Sequence, residues 1–154
     1  MKILVIDDDE RMRRLIEKTL TADGYQVLLA ADGEAGMRHF RKEKPEIVIT
    51  DIIMPRQEGL GTIMLMRRER PEAKVIAVSG GGRVGNFDVL DAATNLGADD
   101  VISKPFRPEE LLSRVHRVAA APESAAGAAH PNWRDAGRGL RWVGGMSRSR
   151  EPSE

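Results

Sequence analysis

In "KILVIDDDE" (residues 2–10) two acids, Asp7 and Asp8, directly follow the apolar run Ile3–Ile6, with Asp9 and Glu10 behind them. A third acid, Asp51, follows "EIVIT" (46–50); Ser79 follows "KVIAV" (74–78); Lys104, with Pro105 after it, follows "DVIS" (100–103). Taken singly these are weak signals, since an acid after a strand is most often a helix cap. The spacing makes them a set. Asp8 and Asp51 are 43 residues apart, the span of two β-α units, while Asp51 to Ser79 is 28 and Ser79 to Lys104 is 25, one unit each. If each apolar run is a parallel strand, three carboxylates, a hydroxyl and an ammonium meet at the carboxyl edge of one sheet, where open α/β sheets bind ligands.

Three neighbouring carboxylates cannot all stay ionised cheaply, because like charges raise one another's pKa. A hard divalent cation relieves the repulsion, and an all-oxygen set without His or Cys points to Mg²⁺. Mg²⁺ takes one or two carboxylates and keeps positions open for a phosphoryl group. A metal on one side of a carboxylate and a lysine on the other suits phosphoryl transfer to that carboxylate, with Ser79 able to donate to the incoming oxygens. Asp9 and Glu10 need no metal role, since acids at the start of a helix complement its dipole.

The elements that must position these residues are legible. The runs 2–6, 26–30, 46–50, 74–78 and 100–103 are continuously apolar, as in parallel strands covered on both faces. Between them, helical stripes are predicted at Met12, Leu15, Ile16 and Leu20; at Gly36, Met37 and Phe40; at Leu60, Ile63, Met64 and Arg67, the arginine giving only its alkyl stem; at Phe87, Leu90, Ala93 and Leu96; and at Leu111, Leu112, Val115 and Val118. Gly24, Gly59 and Gly97 fall near helix ends, and Pro45, Pro71 and Pro108 in connections or first turns. Five β-α units follow, hence an α/β fold with a doubly wound five-stranded parallel sheet and five helices.

Composition bounds the rest. The chain has 154 residues, 24 basic and 24 acidic, so its formal charge is zero, against the basic excess of a nucleic-acid binder. No cysteine is present, which excludes disulfides and thiolate chemistry. No stretch reaches the roughly 18 apolar residues of a membrane span, and the first apolar run is too short for a secretory signal. A cytoplasmic protein without membrane or nucleic-acid partners is expected. After 1–119 the composition turns to Ala, Gly, Ser, Pro and Arg, and 120–154 reads as a flexible tail, with Trp133, Leu140 and Trp142 as the alternative of a short docking segment.

The combination "VIDDDE", "IVITDIIMPRQEG", "VIAVSGGG" and "DDVISKPF" resembles the receiver domain of two-component response regulators over residues 1–119. The resemblance implies a flavodoxin-like strand order 2-1-3-4-5 and a Mg²⁺-dependent phosphoacceptor at Asp51. Asp8 would be a direct metal ligand, Asp7 would act through water or a hydrogen bond, and the backbone carbonyl of Ile53 would complete the protein's share. Ser79 and Lys104 would follow the phosphoryl group, and the Lys104–Pro105 bond would be cis. The donor would be a phosphohistidine on a histidine kinase or a histidine phosphotransfer protein. Some 35 residues of tail are too few for an output domain, so a stand-alone receiver is expected, an autocatalytic phosphoprotein rather than an enzyme on other substrates. It would signal through an unknown downstream protein or a phosphorelay.

Three places depart from the commonest receiver pattern. Val101 stands where many receivers carry Tyr or Phe, so an inward aromatic swing is not available. Ile53 is apolar where fast-dephosphorylating receivers carry a polar residue, and is expected to hinder attacking water. "SGGGRVGNFD" reads as a long loop whose Gly80, Gly81, Gly82 and Gly85 make a mobile switch, with a plain flexible connection as the alternative. Two rivals are weaker. Asp-x-Asp in "VIDDDE" also opens haloacid-dehalogenase-type phosphatases, but those place a lysine before a late acidic pair, and here Asp99–Asp100 precedes Lys104. A silent binding module would have no need for the complete acidic and lysine set.

Overall fold

The order of elements is β1 (Lys2–Ile6), α1 (Glu10–Ala22), β2 (Gln26–Ala30), α2 (Gly33–Glu43), β3 (Ile47–Asp51), β4 (Ile53–Met54) and β5 (Gln57–Glu58). There follow α3 (Gly59–Glu69), β6 (Lys74–Ser79), β7 (Arg83–Val84), β8 (Phe87–Asp88), α4 (Val89–Asn95), β9 (Asp100–Ser103) and α5 (Pro108–Ala120). This computed structural model describes residues 1–54, 57–80, 83–84 and 87–122, with the backbone alone at 57–58, 83–84 and 87–90. Gly81, Gly82 and Gly85 of the expected switch loop lie outside the described residues, as do residues 123–154 of the expected tail with Trp133 and Trp142.

Five strands form one parallel sheet in the order β2-β1-β3-β6-β9. Counting only these five in chain order, that is the expected 2-1-3-4-5. Their apolar character has a two-sided cause. On one face Ile3, Val5, Ile47, Ile49, Ile76, Val78 and Ile102 pack with Ile16 and Leu20 of α1 and with Leu111, Val115 and Val118 of α5. On the other, Leu4, Ile6 and Val48 pack with Met37, Phe40 and Met66, and Val75 and Ala77 with Ile63 and Ala93. Alternation along each strand sends successive side chains to opposite layers. Both layers are apolar, so no polar period shows.

Several expectations need correction. Leu15, predicted on the buried stripe of α1, is 42% exposed, because the helix buries only the narrower seam of Ile16 and Leu20. Phe87 lies on β8 rather than in α4, and Leu96 lies beyond the end of that helix. The glycine-rich stretch after β6 is not wholly irregular: β7 and β8 pair antiparallel, as do β4 and β5. Asp51 and Ser79 are the last residues of their strands rather than the first residues after them.

The largest correction concerns Arg67. Its side chain is 2% exposed, guanidinium included. Nε donates to the Gly97 carbonyl at 2.6 Å, Nη1 to the carbonyls of Pro71 (2.9 Å) and Ala73, and Nη2 to the Asp99 carboxylate. That carboxylate also accepts the Val75 amide at 2.7 Å. A planar fork with several donors is the group able to satisfy so many acceptors at once. Gly97 has φ +105°, and a Cβ there would lie 3.1 Å from the arginine stem. The cluster ties the end of α3 to the starts of β6 and β9. Removing a partner from a buried ion pair costs about 3–5 kcal/mol, because the remaining charge and carbonyls lose their partners. Arg67→Ala is therefore expected to lower unfolding free energy by about that amount in a urea titration; a loss below about 1 kcal/mol would contradict this account.

Candidate functional site

The strand alternation that builds the core also aims the site. Asp7 continues the side of Ile3 and Val5, Asp51 that of Ile47 and Ile49, and Lys104 lies two residues beyond Ile102. All three therefore leave the carboxyl edge of the sheet on the side of α1 and α5. Ser79 has the alternation of Val75 and Ala77, on the other side.

The structure brings the expected residues together. Carboxylate oxygens of Asp7, Asp8 and Asp51 lie within 4.8 Å of one another. Lys104 Nζ donates to Asp7 Oδ2 and to Asp51 Oδ2, each at 2.8 Å. The Lys104–Pro105 peptide is cis. Ser79 joins the site through its backbone: its carbonyl accepts the Lys104 amide at 2.7 Å. The Ile53 amide donates to Asp51 Oδ1 at 2.9 Å, while Ile53 is 47% exposed. Val101 is half-buried against the cluster that holds Ile52, Ile63, Ala77 and Ala93, and pairs with Ala77. Gly80 is exposed directly after Ser79.

Two of the three acids are deeply enclosed, Asp7 at 1% exposure and Asp51 at 6%, whereas Asp8 is exposed. Burial pushes the Asp7 carboxyl above the usual range, and the neighbouring Asp51 adds to this; the Lys104 and Asp9 hydrogen bonds work the other way and do not cancel it. Burial on its own would lower the Lys104 ammonium, but the hydrogen bonds and charges of Asp51 and Asp7 outweigh it and hold the group above its ordinary value. One ammonium thus sits against two carboxylates, with a third carboxylate at the mouth. This oxygen set fits a hard divalent cation, with Asp8 reachable from solvent and Asp7 and Asp51 as the enclosed wall.

Local features explain why the acids are held so firmly. Asp9 caps α1, its Oδ1 accepting the Arg11 amide at 2.9 Å, and Glu10 pairs with Arg14, so the last two acids of the block serve the helix. On the other side, Gly59 opens α3 against the end of β3: a Cβ there would lie 2.3 Å from the Asp51 carbonyl and 2.6 Å from Ile52 Cα. Sequence reasoning placed Gly59 at a helix end but not its reason, which is this close approach. It also passed over Arg13, whose Nη1 donates to the Asp7 carbonyl at 2.7 Å, and Thr50, whose Oγ1 donates to the Asp51 carbonyl at 3.1 Å. A polar residue one turn inside a helix that starts at a site is the signal available for Arg13.

Among the described residues no helix is long and apolar enough to cross a membrane. A family model described as the response regulator receiver domain matches residues 3–116. A probable transcriptional regulator ycf27 of Porphyridium aerugineum is 40% identical over 129 residues, covering 81% of this chain and 50% of that protein. The alkaline phosphatase synthesis transcriptional regulatory protein PhoP of Bacillus subtilis is 32% identical, covering 81% and 51%. This chain thus spans about half the length of these curated relatives. Among solved structures, chemotaxis protein CheY4 of Vibrio cholerae superposes with a TM-score of 0.70 at 27% identity, covering 76% of this chain and 97% of that one. A CheY-like receiver domain protein of Methanospirillum hungatei gives 0.70 at 30% identity, covering 75% and 90%.

The raised carboxyl of Asp7 has a consequence for stability. Because it titrates higher in the folded chain than in the unfolded one, its ionised form opposes folding at neutral pH, and that cost fades as pH falls through its folded pKa towards the unfolded value. In chelator, Asp7→Asn is expected to raise the thermal midpoint at pH 7 and to narrow the gap as pH falls. An Asp7→Asn midpoint below wild type at pH 7 would show that the Lys104 bond outweighs the burial cost.

Proposed function

The chain belongs to the response regulator receiver domain family, and we propose that it accepts a phosphoryl group from a phosphohistidine onto Asp51 and signals through altered protein contacts or onward relay. The observation that carries this reading is the convergence of the Asp7, Asp8 and Asp51 carboxylates within 4.8 Å, two of them held by the Lys104 ammonium. The phosphoryl donor is a histidine kinase or a histidine phosphotransfer protein. The target is a downstream protein. Two relatives carry the names of transcriptional regulators, one of them as probable, and this chain covers about half of each.

In the transfer, an Asp51 carboxylate oxygen forms a bond to phosphorus as the bond from phosphorus to the donor imidazole nitrogen breaks. The imidazole leaves with the electron pair and takes up a proton. Asp51 is oriented for this by the Ile53 amide on Oδ1 and by Lys104 on Oδ2. Lys104 supplies positive charge on the acceptor side throughout, and the chemistry asks mainly for positioning and charge neutralisation. Asp7, Asp8, Asp51 and the Ile53 carbonyl would hold Mg²⁺, which when bound offsets the carboxylate and phosphoryl charge. Ser79, the last residue of β6, would offer its hydroxyl to a phosphoryl oxygen on this reading, with the exposed Gly80 next in the chain. Self-phosphorylation and self-dephosphorylation are the only catalysis assigned. On this reading the protein acts in solution in the cytoplasm.

Intact mass after incubation with Mg²⁺ and acetyl phosphate tests the reading. Wild type is expected to gain one phosphoryl group, and Asp51→Asn or a magnesium-free sample none. If wild type stays unmodified with acetyl phosphate and also with a phosphohistidine donor, the reading fails. The exposed Ile53 side chain lies two residues after Asp51 and on this reading hinders attacking water, so Ile53→Asn is expected to shorten the phosphorylated lifetime by about an order of magnitude, some 1.4 kcal/mol in barrier. Decay at the wild-type rate in that variant would remove Ile53 as a shield.

A further inference from the structure

Each polar group of Asp7 is engaged, and the four bonds have different origins. Its amide donates to the Ala30 carbonyl at 3.2 Å, extending the pairing of β1 with β2. Oδ1 accepts the Asp9 amide at 2.9 Å, closing a turn over Asp8, and Oδ2 accepts Lys104. The carbonyl accepts Arg13 Nη1 at 2.7 Å, from a side chain one turn into α1. The Asp7 carbonyl and the Asp8 amide belong to one planar unit. A donor that fixes that carbonyl fixes the direction in which the chain enters Asp8, and the Asp9 amide fixes the direction in which it leaves.

We propose that Arg13 is a positioning residue for the cation site, clamping the Asp7–Asp8 peptide so that the exposed Asp8 carboxylate stays beside the oxygens of Asp7 and Asp51. This rests on the proposed reading of the acidic cluster as a Mg²⁺ site. Arg13 borders a groove of about 350 Å³ between α1 and the end of β2, together with Glu10, Arg14, Glu17, Leu29 and Ala31. Glu10 is paired with Arg14, and the Arg13 guanidinium reaches the strand end instead. Asp8, unlike its two partners, lacks the enclosure that would hold its carboxylate by packing. Its placement comes from the backbone on either side, and Arg13 is the side chain that holds the first of those peptides.

Charge and geometry predict opposite signs. A guanidinium beside a divalent-cation site repels the ion, so if charge alone mattered, removing Arg13 would tighten binding. If Arg13 positions Asp8, removing it weakens binding although a repulsive charge has gone. Groups that orient metal ligands typically contribute 10–100-fold in affinity.

Isothermal titration of Mg²⁺ into the full chain separates the cases, using wild type, Arg13→Ala, Arg13→Lys and Asp8→Asn, with thermal unfolding in chelator to verify that each is folded. Binding is expected to weaken about tenfold or more in Arg13→Ala and to recover partly in Arg13→Lys, which keeps a donor without the planar fork. The amide resonances of Asp8 and Asp9 are expected to shift in metal-free Arg13→Ala. Affinity equal to or tighter than wild type in that variant overturns the positioning role while Asp8→Asn still reports the site. If Arg13→Ala does not fold, Arg13→Lys decides, weakened binding supporting the role and unchanged binding overturning it. Wild type that binds no Mg²⁺ overturns the proposed cation site and this role together.

Discussion

The contact on which the site depends is the Lys104 ammonium held between Asp7 and Asp51. It closes the distance between the first, third and last strands of the sheet, residues 97 and 53 positions apart in the chain. Without a cation there, two enclosed carboxylates would face each other across a low-dielectric space where their repulsion is far stronger than in water. With it, the repulsion is reduced but the burial cost of Asp7 remains, as its raised pKa records. The site is therefore under electrostatic load in its resting state, with one more anion than its lysine can balance even before Asp8 is counted. A load of that kind is relieved by added positive charge, and on the proposed reading a phosphoryl group on Asp51 would change it.

A loaded edge needs a stiff frame, and the opposite end of the sheet supplies it. Arg67 joins α3, the segment before β6 and the segment before β9. Asp100, at the start of β9, is bound by Arg114 at 2.8 Å and by Arg117, both on α5. Lys74, at the start of β6, donates to the Pro122 carbonyl at 3.1 Å, just past that helix. These buried or half-buried polar contacts lie at the amino ends of the strands, away from the carboxyl edge. Each fixes where a strand begins, and in a parallel sheet the start of a strand and its register determine where its end emerges. The positions of Ser79 and Lys104 at one edge are in this sense set by polar contacts at the other.

What could be read from the sequence follows the same division. Strands covered on both faces announce themselves by unbroken apolar runs, so β1, β2 and β9 fell on their expected residues. The site residues were legible because they sit where those runs stop. Long-range polar contacts leave no such trace. Arg67 occupies a core position of a helical stripe, and nothing local distinguishes an arginine that snorkels from one whose guanidinium meets four acceptors; the difference lies in Gly97 and Asp99, some 30 residues away. Leu15 was misplaced for the converse reason: its spacing fits the stripe, but the width of the buried seam is set by how α5 packs beside α1, which periodicity does not encode. The short hairpins were missed because two-residue strands carry no period.

Val101 shows how coupling across this frame can work without an aromatic side chain. It pairs with Ala77 on β6, and Ser103 pairs with Ser79 two residues further on. The Lys104 amide then closes the ladder on the Ser79 carbonyl. On the proposed reading, a displacement of Lys104 toward a phosphoryl group on Asp51 would pull on the Ser79 peptide, and the paired strands would carry it toward Val101 as a small shift of the backbone. Valine, half-buried against the cluster of Ile52, Ile63 and Ala93, is too small to fill or vacate a cavity as a ring would. The transmitted change would be a tilt of β9 against β6 rather than the filling of a cavity by a ring, and its amplitude is limited by the Asp100 contacts that pin the start of β9 to α5.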